Sequence, residues 1–233
     1  MTLAGLLAPF SAADGGAVAL LLIGWGWIGW RIEHPTAARP SVSRIVAQYR
    51  RDWMVQMVTR QPRIFDSSVL ATLREGTSFF ASATMIAIGG GLALMGDPTR
   101  LAGLARDLGQ SAAPDYVWEV KLVLSMLLLV SAFLKFVWSH RLFGYCAVVM
   151  ASVPNEPEDP AALPRAAKAA EINITAARSF NRGLRSVYFA MAALAWLAGP
   201  LALAGATAVT LVVLWRREFA SQSRAALLMP DDG

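Results

Sequence analysis

Apolar residues in this sequence gather into long blocks, separated by stretches rich in arginine and proline, instead of recurring at the spacing of a helix on a water-soluble core. A run of roughly 20 such residues is what a helix needs to cross about 30 Å of hydrocarbon, so the blocks read as membrane segments. The first is Gly16 to Trp30, closing on Trp25, Trp27 and Trp30 with Arg31 next, the indole-and-base signature of a membrane interface. The second covers about 78–95 and the third about 117–137, with helical character continuing toward Met150. The fourth block, 187–215, would be roughly 43 Å long as one helix, too long for one crossing. Gly199-Pro200 interrupts it near the middle, and each half alone is short for a span. Arg182 and Arg185 precede this block while Arg216, Arg217 and Arg224 follow it, which favours a hairpin of 187–198 and 201–215 with both ends on the same side. The expected fold is all-α, a polytopic membrane helix bundle of four to five membrane-embedded helices, in one integral membrane domain spanning 1–233.

The connections set an expected orientation. Residues 31–68 carry seven arginines, Arg31, Arg39, Arg44, Arg50, Arg51, Arg60 and Arg63, and 151–185 continues from a proline-rich start into a basic, helix-compatible run. By the positive-inside rule both loops belong in the cytoplasm. Residues 96–116, with Asp97, Asp107 and Asp115 against Arg100 and Arg106, suit the outside. The residues before Ala17 contain Asp14 and no base, so the first block reads as an uncleaved helix with its N-terminus outside. Within the first basic loop, Val42, Ile45, Val46, Tyr49, Trp53 and Met57 recur at helical spacing among Arg44, Arg50 and Arg51. This describes an amphipathic helix on the membrane surface; the competing reading packs it against the second loop. In the second membrane block Ser78, Ser82, Ala87 and Gly91 place small residues where another helix can approach closely. Lys121 and Lys135 are expected to snorkel from the ends of the third.

Composition sharpens this picture. The chain has 233 residues, 56% hydrophobic and only 16% charged, with mean hydropathy +0.47, which is too apolar for an ordinary soluble domain. Its net charge of +5 resides mostly in the connecting arginines, pointing to an anionic membrane surface and lipids as partners rather than nucleic acid. Cys146, the single cysteine, allows no internal disulfide and reads as a small buried hydrophobe.

The pieces LATLREGTSFFASATM (70–85), FLKFVWSHRLFGYCAVVMASVP (133–154), SFNRGLRSVYFAMAALAWLAGP (179–200) and RREFAS (216–221), in that order and spacing, resemble an uncharacterised membrane-protein family, number 599 among the domains of unknown function. The resemblance covers about 24–226. It implies an all-helical bacterial or plant membrane protein, and it supplies no catalytic residue.

Catalytic motifs are absent: there is no HExxH, GxSxG or CxxC, and Gly89-Gly90-Gly91 has no following GK[ST] that would make it a phosphate loop. No cofactor or metal site is expected. The two histidines, His34 and His140, follow the first and third blocks; a haem ligated by both is the sharper alternative. An ionic constellation of Asp66, Arg74, Glu75, Lys135, His140, Arg141 and Arg185 belongs near the cytoplasmic boundary, as a structural clamp or as a lipid-headgroup site. The functional expectation is a noncatalytic inner-membrane accessory or assembly subunit that packs with a larger complex or with itself. The alternative is a small transporter or channel with its path near Gly199-Pro200.

Overall fold

The computed structural model describes residues 9–97, 103 and 114–230. Among these there is no strand. The helices are α1 (Ala12–Glu33), α2 (Val42–Thr59), α3 (Ile64–Met95), α4 (Asp115–Ala151), α5 (Ala162–Leu194), a 3-10 turn (Ala195–Ala198), α6 (Pro200–Phe219) and α7 (Gln222–Leu227). Four of them, α1, α3, α4 and the helix that begins at Pro200, are long and apolar enough to cross a membrane, and the chain is a multi-pass helical membrane protein. Most of the expected outside connection, including Asp107, Arg100 and Arg106, lies outside the described residues.

The helices outrun the apolar blocks. The 32 residues of α3 begin at Ile64, fourteen positions before the apolar stretch from Ser78, so the end of the first basic loop is already helix. The 37 residues of α4 would be roughly 55 Å long, well beyond a bilayer's hydrocarbon. Contacts gather into two compact units: one of residues 1–31, 84–132 and 184–216, the other of 32–83, 133–183 and 217–233.

In the first unit α1 pairs with both legs of the broken block. Trp196 Nε1 donates to Asp14 Oδ1 at 2.7 Å near the start of α1, while Arg185 lies beside Gly29 toward its end. The α5 leg is therefore antiparallel to α1. Leu211 packs against Gly24, and Trp215 stacks on Trp27 with ring centroids 6.0 Å apart, so α6 is parallel to α1. The chain reverses at Gly199, whose φ of 114° is a conformation that only glycine adopts without strain. This is a hairpin on the glycine and proline that the sequence singled out, with α6 starting at Pro200, where a helix tolerates the missing N–H. Beside it, Trp118 and Leu122 of α4 pack with Leu197, Leu94 and Met95, and Ser125 Oγ donates to the Ala190 carbonyl at 2.8 Å.

The second unit has a core of a different grain. Ala162, Ala166, Ala169, Ala170 and Ala176 line one face of α5 at helical spacing and are buried against Phe143, Cys146 and Met150 of α4 and Met54, Met57 and Val58 of α2. Small side chains let these helices approach closely, which leaves space that larger neighbours fill. Ser139 Oγ and Ser179 Oγ each donate across to a carbonyl, of Ala176 and Lys135 respectively, without leaving a polar group stranded. Cys146 is buried, its thiol donating to the Ala169 carbonyl, as suits a small core residue.

Helix α2 packs against the helix of the second loop, as in the competing arrangement. Arg50 pairs with Asn173, and Arg51 Nε bonds Glu171 Oε1 at 2.7 Å, both partners on α5, while Met54, Met57 and Val58 enter the core. Arginines that would face lipid headgroups on an interfacial helix are instead occupied by the second loop's helix. Burial pushes the Arg50 guanidinium below its ordinary pKa range.

The start of α2 is held by Ser41, fully buried, whose Oγ accepts from the Arg44 N–H at 3.3 Å and donates to the Ile32 carbonyl at 2.8 Å. Ser41→Ala removes an N-cap and orphans a carbonyl, an expected loss of about 1–2 kcal/mol. A thermal midpoint in detergent equal to wild type would show that the cap contributes nothing.

Candidate functional site

The residues expected at one ionic boundary separate into distinct environments. Arg74 Nη2 lies 3.4 Å from His140 Nε2, joining α3 to α4. Arg141 instead extends outward onto Tyr145, donating to its hydroxyl at 3.0 Å, and Glu75 is exposed on α3. Lys135 is half-buried, its backbone carbonyl taken by Ser179. Arg185 is buried in the other compact unit. Of the seven residues expected in one ionic constellation, Arg74 and His140 are in contact, Arg141 and Glu75 are exposed, and Asp66 engages Trp53 and Arg60. One helix period explains the separation: His140 and Arg141 are about 100° apart around α4, so one faces inward while the other faces out.

Arg74 is also part of a cleft of about 380 Å³ in the second unit, walled by Met57, Leu70, Ala71, Ala147, Met150 and Ala151 and carrying Arg63, Ser67 and Asn155. Its shape follows from the sequence: α3 presents Leu70, Ala71 and Arg74 within little more than one turn, and α4 answers with alanines at 147 and 151 that leave room. Arg63 is spent as a clasp, donating to the carbonyls of Val58, Val153 and Pro154 at 3.3, 2.7 and 2.6 Å. Arg74 has no carboxylate partner among the described residues, and its Nε and the His140 Nδ1 are buried without a hydrogen bond. A guanidinium whose hydrogen-bonding neighbour is an imidazole, with no acid attached, is a place where a negative charge is stabilised.

Near the cleft, Asp66 sits fully buried in the first turn of α3, where a helix N-terminus favours a carboxylate. Trp53 Nε1 donates to its Oδ1 at 2.7 Å and Arg60 pairs with the same oxygen. Asp66 thus ties the end of α2 to the start of α3 instead of joining Arg74. Elsewhere in this unit, Arg182 holds Glu33 through two nitrogens, Nε at 2.8 Å, and that hydrogen bonding raises the guanidinium pKa.

In the first unit, Lys121 departs from the snorkelling expectation. It is 5% exposed, with its ammonium 4.7 Å from the Trp118 ring centroid and 6.0 Å from that of Trp196. Asp14, which holds Trp196, also accepts from the Ser11 hydroxyl at 2.6 Å. Thr207 Oγ1 on α6 is buried without a partner.

The small-residue set on α3 divides as well. Leu70, Thr77 and Thr84 form its buried line, a heptad apart, and Gly91 continues that line against Met126. Ser78, Ser82 and Ala87 are on the outer side, exposed within the chain. The intrachain packing face is the first of these, because Thr77 can return its hydroxyl to the Leu73 and Arg74 carbonyls and be buried at no cost in unmet hydrogen bonds.

His34 is exposed just past α1, and the hydrogen-bonding neighbour of His140 is Arg74, not His34. Among the described residues no three histidine, cysteine or acidic side chains gather as a metal-ligand set.

No curated protein and no solved structure matches the chain. A family model described as protein of unknown function DUF599 matches residues 16–223, nearly the whole chain and every helix that builds the cleft and the hairpin. The chain therefore belongs to the DUF599 family of proteins of unknown function.

Proposed function

We propose that this protein is a noncatalytic multi-pass protein of the bacterial inner membrane, an accessory or assembly subunit that works by packing laterally against another membrane protein. The observation that carries this reading is the bareness of α3. Only 6% of its most apolar stretch is buried inside the chain, against 33% for α4 and 22% for α1. Ala87 is exposed there, and Gly89 and Gly90 have open space where a side chain would be, so no contact among the described residues requires these small residues. Small residues on a lipid-facing helix let a second helix approach to backbone distance, where dispersion and weak hydrogen bonds accumulate.

A photoreactive residue at Ile86 or Ala87, irradiated in native membranes, is expected to give a protein adduct heavier than the 25.0 kDa chain. The same probe at Ala132, fully buried in the chain, is expected to give none. Absence of any protein adduct from both α3 positions would end the proposal.

A transporter reading is favoured by one specific observation, the polar groups Lys121, Asp14 and Thr207 buried in the unit that contains the Gly199 reversal. Solute flux in reconstituted vesicles that survives Lys121→Met would remove it.

A further inference from the structure

We infer that the cleft between α3 and α4 binds the phosphate of an anionic membrane lipid, with Arg74 as the anion's partner. This goes beyond the lateral-association reading and does not depend on it.

The electrostatics come first. Arg74 and His140 are in contact without an acidic counter-group, and each retains a buried nitrogen with no hydrogen bond. Asp66, the nearest carboxylate in sequence on the N-terminal side, engages Trp53 and Arg60 through Oδ1 and makes no hydrogen bond to Arg74. Glu75 is exposed, and neighbours along a helix do not face each other. A guanidinium that lines the cleft without an acid partner matches an oxyanion with several acceptor oxygens, and a phosphate is the membrane's commonest one.

Geometry then assigns the roles. Arg63, immediately before α3, has both of its Nη nitrogens committed to carbonyls. Arg63 closes the far end through its three carbonyl bonds, and Arg74 is left as the binding cation. Between them the exposed Asn155 amide offers a donor to glycerol or ester oxygens, and Ser67, whose hydroxyl donates to the Ile64 carbonyl, can accept from a glycerol hydroxyl.

Two observations favour a lipid over a soluble phosphate. The cleft is largely apolar, with Leu70 and Met150 on its walls, a poor lining for a small hydrated anion. Arg74 also stands one turn before Ser78, where the apolar stretch of α3 begins, so an acyl chain leaving the cleft has hydrocarbon within reach. A volume of about 380 Å³ is near the lower limit for ligand pockets. It suits a headgroup and the first methylenes, with the tails outside.

The test reconstitutes the full chain in nanodiscs of phosphatidylcholine containing one-fifth phosphatidylglycerol, then counts retained lipid by native mass spectrometry. One phosphatidylglycerol per chain is expected, with retention falling at least tenfold in Arg74→Gln. Arg51→Gln removes the same charge from a surface pair and is expected to leave retention unchanged. Ala71→Phe keeps Arg74 while filling the cleft, and is expected to lose the lipid as well, so a poorly folding Arg74→Gln does not decide the matter. Equal loss in Arg74→Gln and Arg51→Gln, or equal retention of phosphatidylcholine, would overturn the site. Displacement of the lipid by millimolar glycerol 3-phosphate would overturn the lipid and assign a soluble phosphate ester instead.

Discussion

Asp66→Ala is expected to lower the unfolding free energy by about 2–3 kcal/mol, a large share of what a domain of this size holds in reserve. The carboxylate is fully buried and is the acceptor for the Trp53 indole, whose N–H would be left without a partner in the core. Arg60, about a third exposed along its side chain, can turn to water, so its half of the loss is discounted. Asp66→Asn separates the two contributions: the amide oxygen still accepts from Trp53, and the expected loss falls to about 1 kcal/mol. Thermal unfolding in detergent, followed by circular dichroism, measures both. Equal midpoints for wild type and Asp66→Ala would mean that the α2–α3 junction does not depend on this residue.

The second large effect is steric. A Cβ at Gly183 would meet three ring atoms of Phe136 at 2.6, 2.9 and 2.9 Å, distances at which something must move. Phe136 cannot yield easily: it is fully buried and stands within 5.5 Å, centroid to centroid, of both Phe80 and Phe180. Gly183→Ala therefore trades about 1 kcal/mol of improved helix propensity for an overpacking cost of about 1–3 kcal/mol, and a net loss is expected. Gly91→Ala provides the contrast. Its new methyl would meet the Met126 sulfur at 2.2 Å, but a thioether at the end of a flexible chain can swing aside. The same substitution there is expected to be neutral or mildly stabilising. If both variants melt alike, rigidity of the ring cluster is not what Gly183 serves.

The two positions also show what was legible in the sequence. Apolar blocks, the amphipathic α2 and the break at Gly199-Pro200 are local patterns, and the helices form where those patterns lie. The alanine face of α5 is present in the sequence as spacing, yet the burial of Ala166 and Ala169 depends on α4 being placed against them. Burial of charge was the hardest to see. Lys121 was expected to snorkel because its distance from the span's end permits it, and it turned inward because Trp118 and Trp196 provide ring faces. One of those tryptophans lies on the same helix, but the other is 75 positions away. Asp14 and Trp196 are 182 positions apart, and no window along the chain contains both. The unpaired state of Arg74 was likewise invisible, since a charge's lack of a partner depends on where every acid goes.

The reversal at Gly199 also constrains how the chain enters a bilayer while it is being made. In the proposed topology the leg before it, 187–198, falls short of the roughly 17 residues that a span requires, so it has little tendency to leave the insertion channel alone. On the hairpin topology expected from the sequence, it would wait until Pro200 to Trp215 has emerged from the ribosome. The two legs then partition together, with Arg185 and Arg216 held back on the side of synthesis. On that topology the backbone reversal at Gly199 would set the order of assembly as well as the final path of the chain.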